Sequence, residues 1–261
     1  MTMDSLLKRD RRIVFVSIAM LTVLAWIYIF RFAATMNVAA FAPDMSHMAP
    51  LLRSWTAVDF AMIFAMWAVM MVGMMTPSAT PMILIYARVA RQAAVDGRPL
   101  ASTGWFVAGY LLSWTAFSLA ATIAQDVLIQ FAWLTPMMST ASDRIGGVVL
   151  IVSGIYQFTS LKNTCLTQCQ SPFAFIQAHG GFKAGHSSAL RLGFRHGVYC
   201  IGCCWAVMTL LFVVGVMNIF WIAAIAIFVL VEKVMPAGKW IARAAGAGLA
   251  VAGIWLIVQG N

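Results

Sequence analysis

The chain repeatedly runs for about 20 apolar residues before a short charged connection interrupts it, and this spacing limits the folds open to it. A hydrocarbon core of roughly 30 Å is crossed by about 20 residues of α-helix, whose backbone groups satisfy one another within the segment. Seven runs fit: Ile13 to Ala34, Ala57 to Tyr86, Ala101 to Gln125, Ile145 to Leu161, Leu192 to Met217, Ile219 to Val231 with an extension to Val234, and Trp240 to Val258. Pro77 and Pro81 predict a kink or break late in the second run, so its membrane part is expected to end near Met75. With 62% of its 261 residues hydrophobic and 10% charged, the chain has too few polar side chains to cover a soluble globule. The expected fold is therefore all-α, a polytopic helical bundle forming one integral membrane domain over residues 1–261.

The formal charge of +9 sits in the connections rather than in a stripe with interleaved aromatics, which argues for topology and against nucleic acid. With the N-terminus in the cytoplasm, the inside segments hold Lys8, Arg9, Arg11, Arg12, Arg88, Arg91, Arg98, Lys162, Lys183, Arg191, Arg195, Lys233, Lys239 and Arg243. The outside segments hold only Arg31, Arg53 and Arg144. The positive-inside rule thus orients the chain in a cytoplasmic (inner) membrane, with its C-terminus outside. Ala40-Phe41-Ala42 has the small-x-small pattern of a signal cleavage site, but Ile13 to Ala34 is longer than a signal's apolar region, so a retained first helix is expected. No low-complexity tract, soluble domain or internal repeat is visible. The longest connection, 162–191, is moderately apolar and reads as a cytoplasmic interfacial helix followed by a turn, or as a re-entrant piece.

All five cysteines fall between positions 165 and 204, which this topology places at or near the cytoplasmic face. Cys165 and Cys169 are four apart and share one face of a helix. His196, Cys200, Cys204 and Met208 follow at the same interval, with Cys203 alongside. One imidazole, three thiols and a thioether along one helix side make a donor set for soft metals, copper(I) first and zinc where thiolates dominate. The plainer alternative is that these cysteines pack as small apolar residues. A stable disulfide is disfavoured on the reducing cytoplasmic side, whereas a transient redox disulfide stays open.

Met62, Met66, Met70 and Met74 recur every four residues in the second run, with Met71 and Met75 beside them. Such a stripe drifts only about 40° per step and either relays copper(I) between weak sites or packs as flexible core. Glu232, the only glutamate, ends the sixth run and is either a ligand or proton handler, or the partner of a nearby Lys or Arg. His179 and His186 read as ordinary loop histidines able to supplement the cysteines, and Met45-Ser46-His47-Met48 as a weak outer copper-receiving loop. No nucleophile elbow, phosphate-binding glycine loop, paired carboxylates or haem attachment sequence is present, so an enzyme has little support here beyond thiol redox chemistry.

Several of these segments together resemble a known family: Met70-Met71-Val72-Gly73-Met74-Met75-Thr76-Pro77 with Pro81; Lys162-Asn163-Thr164-Cys165-Leu166-Thr167-Gln168-Cys169-Gln170-Ser171-Pro172; Cys200-Ile201-Gly202-Cys203-Cys204-Trp205 with Met208; and Gly215-Val216-Met217-Asn218 followed by Glu232-Lys233 and Pro236. They are similar to the predicted metal-binding integral membrane proteins, formerly a domain of unknown function and now associated with copper chaperones that supply tyrosinase-like oxidases. The resemblance covers most of the chain from the second helix onward. It implies a membrane copper-handling protein with Cys165, Cys169, Cys200, Cys203 and Cys204 as ligand candidates, and a copper-dependent oxidase or another metal-handling protein as partner.

The resulting expectation is a copper(I) site between the second, fifth and sixth helices. Cys200, Cys203 and Cys204 are its core, Cys165 and Cys169 a lid or transfer pair, and Met70, Met71, Met74 and Met75 relay donors. Met208, His196 and Glu232 are supporting or alternative ligands. The rival readings are a membrane thiol oxidoreductase using Cys203-Cys204 with Cys165 or Cys169, and a transporter or structural subunit whose cysteines pack.

Overall fold

Helix is the outcome that long apolar runs with few internal breakers dictate, and the chain takes it almost throughout. The computed structural model describes residues 3–41, 55–97, 100–134, 140 and 142–259, with the side chains of 3–11 and 36–41 excepted. Ten helices follow in order: α1 (Met3–Phe41), α2 (Ala57–Val95), α3 (Thr103–Gln130), α4 (Asp143–Tyr156), α5 (Ser160–Gln170), α6 (Pro172–Ala178), α7 (His186–Met208), α8 (Leu210–Val214), α9 (Ile219–Val234) and α10 (Gly238–Gln259). Among them α3 lies along α7, α10 along α4, and α1 along α2, which also packs on α3. The outward faces carry large apolar side chains such as Phe15, Leu24, Phe220, Trp240 and Trp255, a surface suited to hydrocarbon rather than water.

Among the described residues five helices are long and apolar enough to cross a membrane, or six if α4 and α5 form one broken span, against the expected seven. Two details account for the difference. The run from Ile145 to Leu161 is not straight: it breaks after Tyr156, Thr159 caps a new helix by accepting from the Lys162 N–H, and α5 departs at 64° from α4. And α9, at 16 residues, reaches only about 24 Å.

The second run also differs from expectation. A kink or break is expected at Pro77 and Pro81, but α2 is one helix through both to Val95. Each proline removes one backbone donor, from the Gly73 and Pro77 carbonyls respectively, and the Met75 carbonyl between them accepts from the hydroxyls of Ser78 and Tyr110, at 2.8 and 3.0 Å.

The seam between α3 and α7 brings two backbones together. A Cβ on Gly193 would collide with the Phe106 carbonyl and one on Gly109 with the Leu190 carbonyl, so both positions need glycine for this approach. Ser113 on α3 donates to the Phe194 carbonyl across the same seam at 2.8 Å. This packing fixes α7, and with it every cysteine from 200 to 204.

Candidate functional site

Helical spacing alone sets the first part of the site. On α7, Cys200, Cys203 and Cys204 occupy one inward face and are each about 1% exposed. The thiols of Cys203 and Cys204 donate to the Cys200 carbonyl, at 3.1 and 3.0 Å. Met75 of α2 brings its thioether to 4.0 Å from the Cys204 sulfur. Cys169 of α5 lies within interaction range of Cys200 and Cys203. All five cysteines are free thiols.

The start of the 162–191 segment, read as a cytoplasmic interfacial helix or a re-entrant piece, is part of this interior. Lys162 is fully buried, and its ammonium bonds the Cys203 carbonyl at 2.9 Å and Glu232 Oε1 at 2.6 Å. Gln170 at the far end of α5 donates to the Glu232 carbonyl at 2.9 Å. Cys165 packs against α7 at Gly202, where an added Cβ would lie 2.7 Å from its sulfur. The α5 helix is thus clamped on α7 and α9, with Cys165 facing backbone and Cys169 facing thiols.

Charge adds the most informative feature. Lys233, counted at the sequence level as a surface charge, is buried and donates to Cys200 Sγ at 2.8 Å and to Ser78 Oγ at 3.2 Å. Tyr110 places its hydroxyl 3.2 Å from the same sulfur. Lys162 is neutralised by Glu232, whereas among the described residues Lys233 has no carboxylate partner. The buried interior therefore holds one cation in excess, aimed at a thiol. With Lys162 and Lys233 inside the bundle, the charge asymmetry between the connections loses two members on its richer side and keeps its direction.

The remaining candidates divide. Met70, Met71, Met74 and Met208 are buried to the same degree as Met75, and Met66 nearly so, while Met62 is 52% exposed. The methionine stripe is therefore interior only from Met66 onward. His196 is buried one turn from Cys200 among the rings of Phe106, Tyr110 and Phe175, and its Nδ1 has no hydrogen-bond partner. His179 holds Nδ1 against the Phe175 carbonyl at 2.7 Å, and the His186 ring lies tilted against that of Trp105 at 5.1 Å. The loop Met45 to Met48 lies outside the described residues, as does Ala42 of the candidate cleavage site.

Sequence reasoning did not single out Lys162, Lys233, Tyr110 or Ser78. Lys233 beside the lone Glu232 in a run with no other charge was the available signal; the hydroxyls carry none. Among the described residues, no three His, Cys, Asp or Glu side chains converge on a point suited to an ion. Cys169 lies near both Cys200 and Cys203, and the sulfurs of Cys203 and Cys204 are turned back onto their own helix by hydrogen bonds to the Cys200 carbonyl. The fit to a soft ion thus comes from a thiol pair with a thioether beside it, the donor chemistry that accepts low coordination.

A family profile described as PpoB2, a copper chaperone, matches residues 64–256. No curated protein and no solved structure matches the chain.

Proposed function

Because the chain belongs to the PpoB2 copper chaperone family, we propose that it spans the cytoplasmic membrane, N-terminus inside, and carries copper as Cu(I) in the dry interior between α2, α5, α7 and α9. Cys200, Cys203 and Cys204 supply the thiolates, Cys169 joins them from α5, and Met75 adds a thioether. Met70, Met71 and Met74 extend the soft lining along α2. The handling is binding and transfer rather than turnover, and the recipient is a copper-dependent oxidase or another metal-handling protein.

The observation that carries this reading is the meeting of soft sulfur donors from three helices beside a buried ammonium that has no carboxylate partner among the described residues. Thiolate and thioether sulfur prefers Cu(I) to harder ions. A copper(I) ion held by two of these sulfurs as thiolates, the others staying protonated as thiols, has one net negative charge, which in an apolar interior calls for a counter-cation. Lys233, 2.8 Å from Cys200 Sγ, supplies it. Zinc in a four-thiolate site would leave a charge of −2 and match this single cation less well. Loading replaces the hydrogen bonds of Cys203 and Cys204 to the Cys200 carbonyl by bonds to the metal.

The test is metal content. Protein purified without oxygen from copper-supplied cells is expected to hold copper and little zinc, and Cys200→Ser/Cys203→Ser/Cys204→Ser to lose it. Equal copper in both would refute the thiol assignment.

A further inference from the structure

At the end of the bundle where α7 begins, a cavity of about 150 Å³ is lined by residues of α7, of the segment after α6, and by Tyr86 of α2. Lys183, Arg191 and Arg195 stand on its wall and no carboxylate does. Arg191 and Arg195 are one helical turn apart on α7, so both guanidinium groups serve the same opening. Charges needed only to orient a membrane helix have no reason to converge on a concavity. Three cations around one raise the local concentration of anions.

The inner wall leads toward the thiols. His179 lines the cavity, and its ring lies 4.4 Å from that of Phe175, which lies 5.2 Å from His196. Tyr86, on the opposite wall, stacks on Phe106 at 4.9 Å, and Phe106 also touches His196. His196 keeps a buried nitrogen without a partner, and Cys200 is the next turn of α7. Arg191, Arg195, His196 and Cys200 therefore follow one another along α7, with His179 packed beside that helix against Tyr199.

We propose that this cavity receives copper(I) as an anionic complex of a small carboxylate-bearing thiol, so that the protein takes up its cargo from a carrier and not as a free cation. The proposal rests on the thiol site described under the proposed function. The carrier's carboxylates pair with Lys183, Arg191 and Arg195, which repel bare copper(I). Transfer is ligand exchange without redox change. Each copper–sulfur bond to the carrier that breaks is replaced by one to a cysteine, and the proton leaving that cysteine goes to the freed carrier thiolate.

Two copper(I) carriers of opposite charge test this on the full-length protein under anaerobic conditions: mercaptosuccinate, with two carboxylates, and cysteamine, with an ammonium. Arg191→Gln/Arg195→Gln is expected to slow copper uptake from the mercaptosuccinate complex about tenfold or more, an effect that fades in high salt. Uptake from the cysteamine complex is expected to hold or quicken. Arg243→Gln, on α10 beside Trp240, is expected to change neither rate. Equal slowing with both carriers, or no slowing with mercaptosuccinate, overturns the proposal. So does a variant that merely loses co-purified anionic phospholipid while loading normally, which assigns the cavity to a headgroup phosphate. If the unsubstituted protein takes copper from neither carrier, the thiol site falls together with this proposal.

Discussion

The ammonium of Lys233 lies 2.8 Å from the sulfur of Cys200, deep inside the bundle and without a carboxylate partner among the described residues. A buried cation placed on a thiol is stable only if something there is negative, and a dithiolate copper(I) complex meets that need. Lys233→Met is therefore expected to release copper(I) to excess chelator at least about tenfold faster than the unsubstituted protein, with Lys233→Arg intermediate. Unchanged release in Lys233→Met would mean that the ammonium does not face the metal.

The Lys162–Glu232 pair is predicted to be structural. Removing one partner leaves the other charged and buried, so Lys162→Met or Glu232→Gln should each destabilise the protein by about 3–5 kcal/mol. Lys162→Met/Glu232→Met should recover much of that loss. Thermal unfolding in detergent reads all three, and additive losses in the double variant would count against the pairing.

Gly202 and Cys165 are predicted to be non-additive. Gly202→Ala sets a methyl 2.7 Å from the Cys165 sulfur and forces α5 away from α7, at about 1–3 kcal/mol. Cys165→Ala removes that sulfur, so Gly202→Ala/Cys165→Ala should be more stable than Gly202→Ala alone. A double variant less stable than either single one would show that Cys165 does more than fill this gap.

Within the methionine stripe, Met75→Leu is expected to weaken copper(I) retention several-fold, because its thioether is the one 4.0 Å from a cysteine sulfur. Met62→Leu, on an exposed position, is expected to leave retention unchanged. Chelator competition measures both, and equal effects would remove Met75 from the donor set.

The sequence exposed the helices and the donors more readily than their arrangement. Apolar runs mark helices because each segment closes its own hydrogen bonds, and the i, i+4 ladder from His196 to Met208 is a property of α7 alone. The turn after Tyr156 was not legible, since nothing in Gln157-Phe158-Thr159 is a strong breaker and the bend depends on what α5 meets when it folds back. That contact, Lys162 reaching Glu232 some 70 residues later, is tertiary and leaves no local pattern. The same ignorance made Lys162 and Lys233 look like surface charges. Pro77 and Pro81 misled in the other direction, because they predict a kink or break and α2 is one helix through both to Val95.

Glu232 and Lys233 close α9, so the chain order puts them after every cysteine and before only the last helix. During synthesis the sulfurs emerge first, and Lys162 spends that interval without its carboxylate while Cys200 waits for its cation. A ribosome that stalls ahead of α9 leaves a chain with its full set of thiols but no counter-charge for an anionic guest. Under the copper(I) proposal the order of the helices therefore acts as a timer on biogenesis: competence to hold metal is expected late, when the bundle lacks only α10.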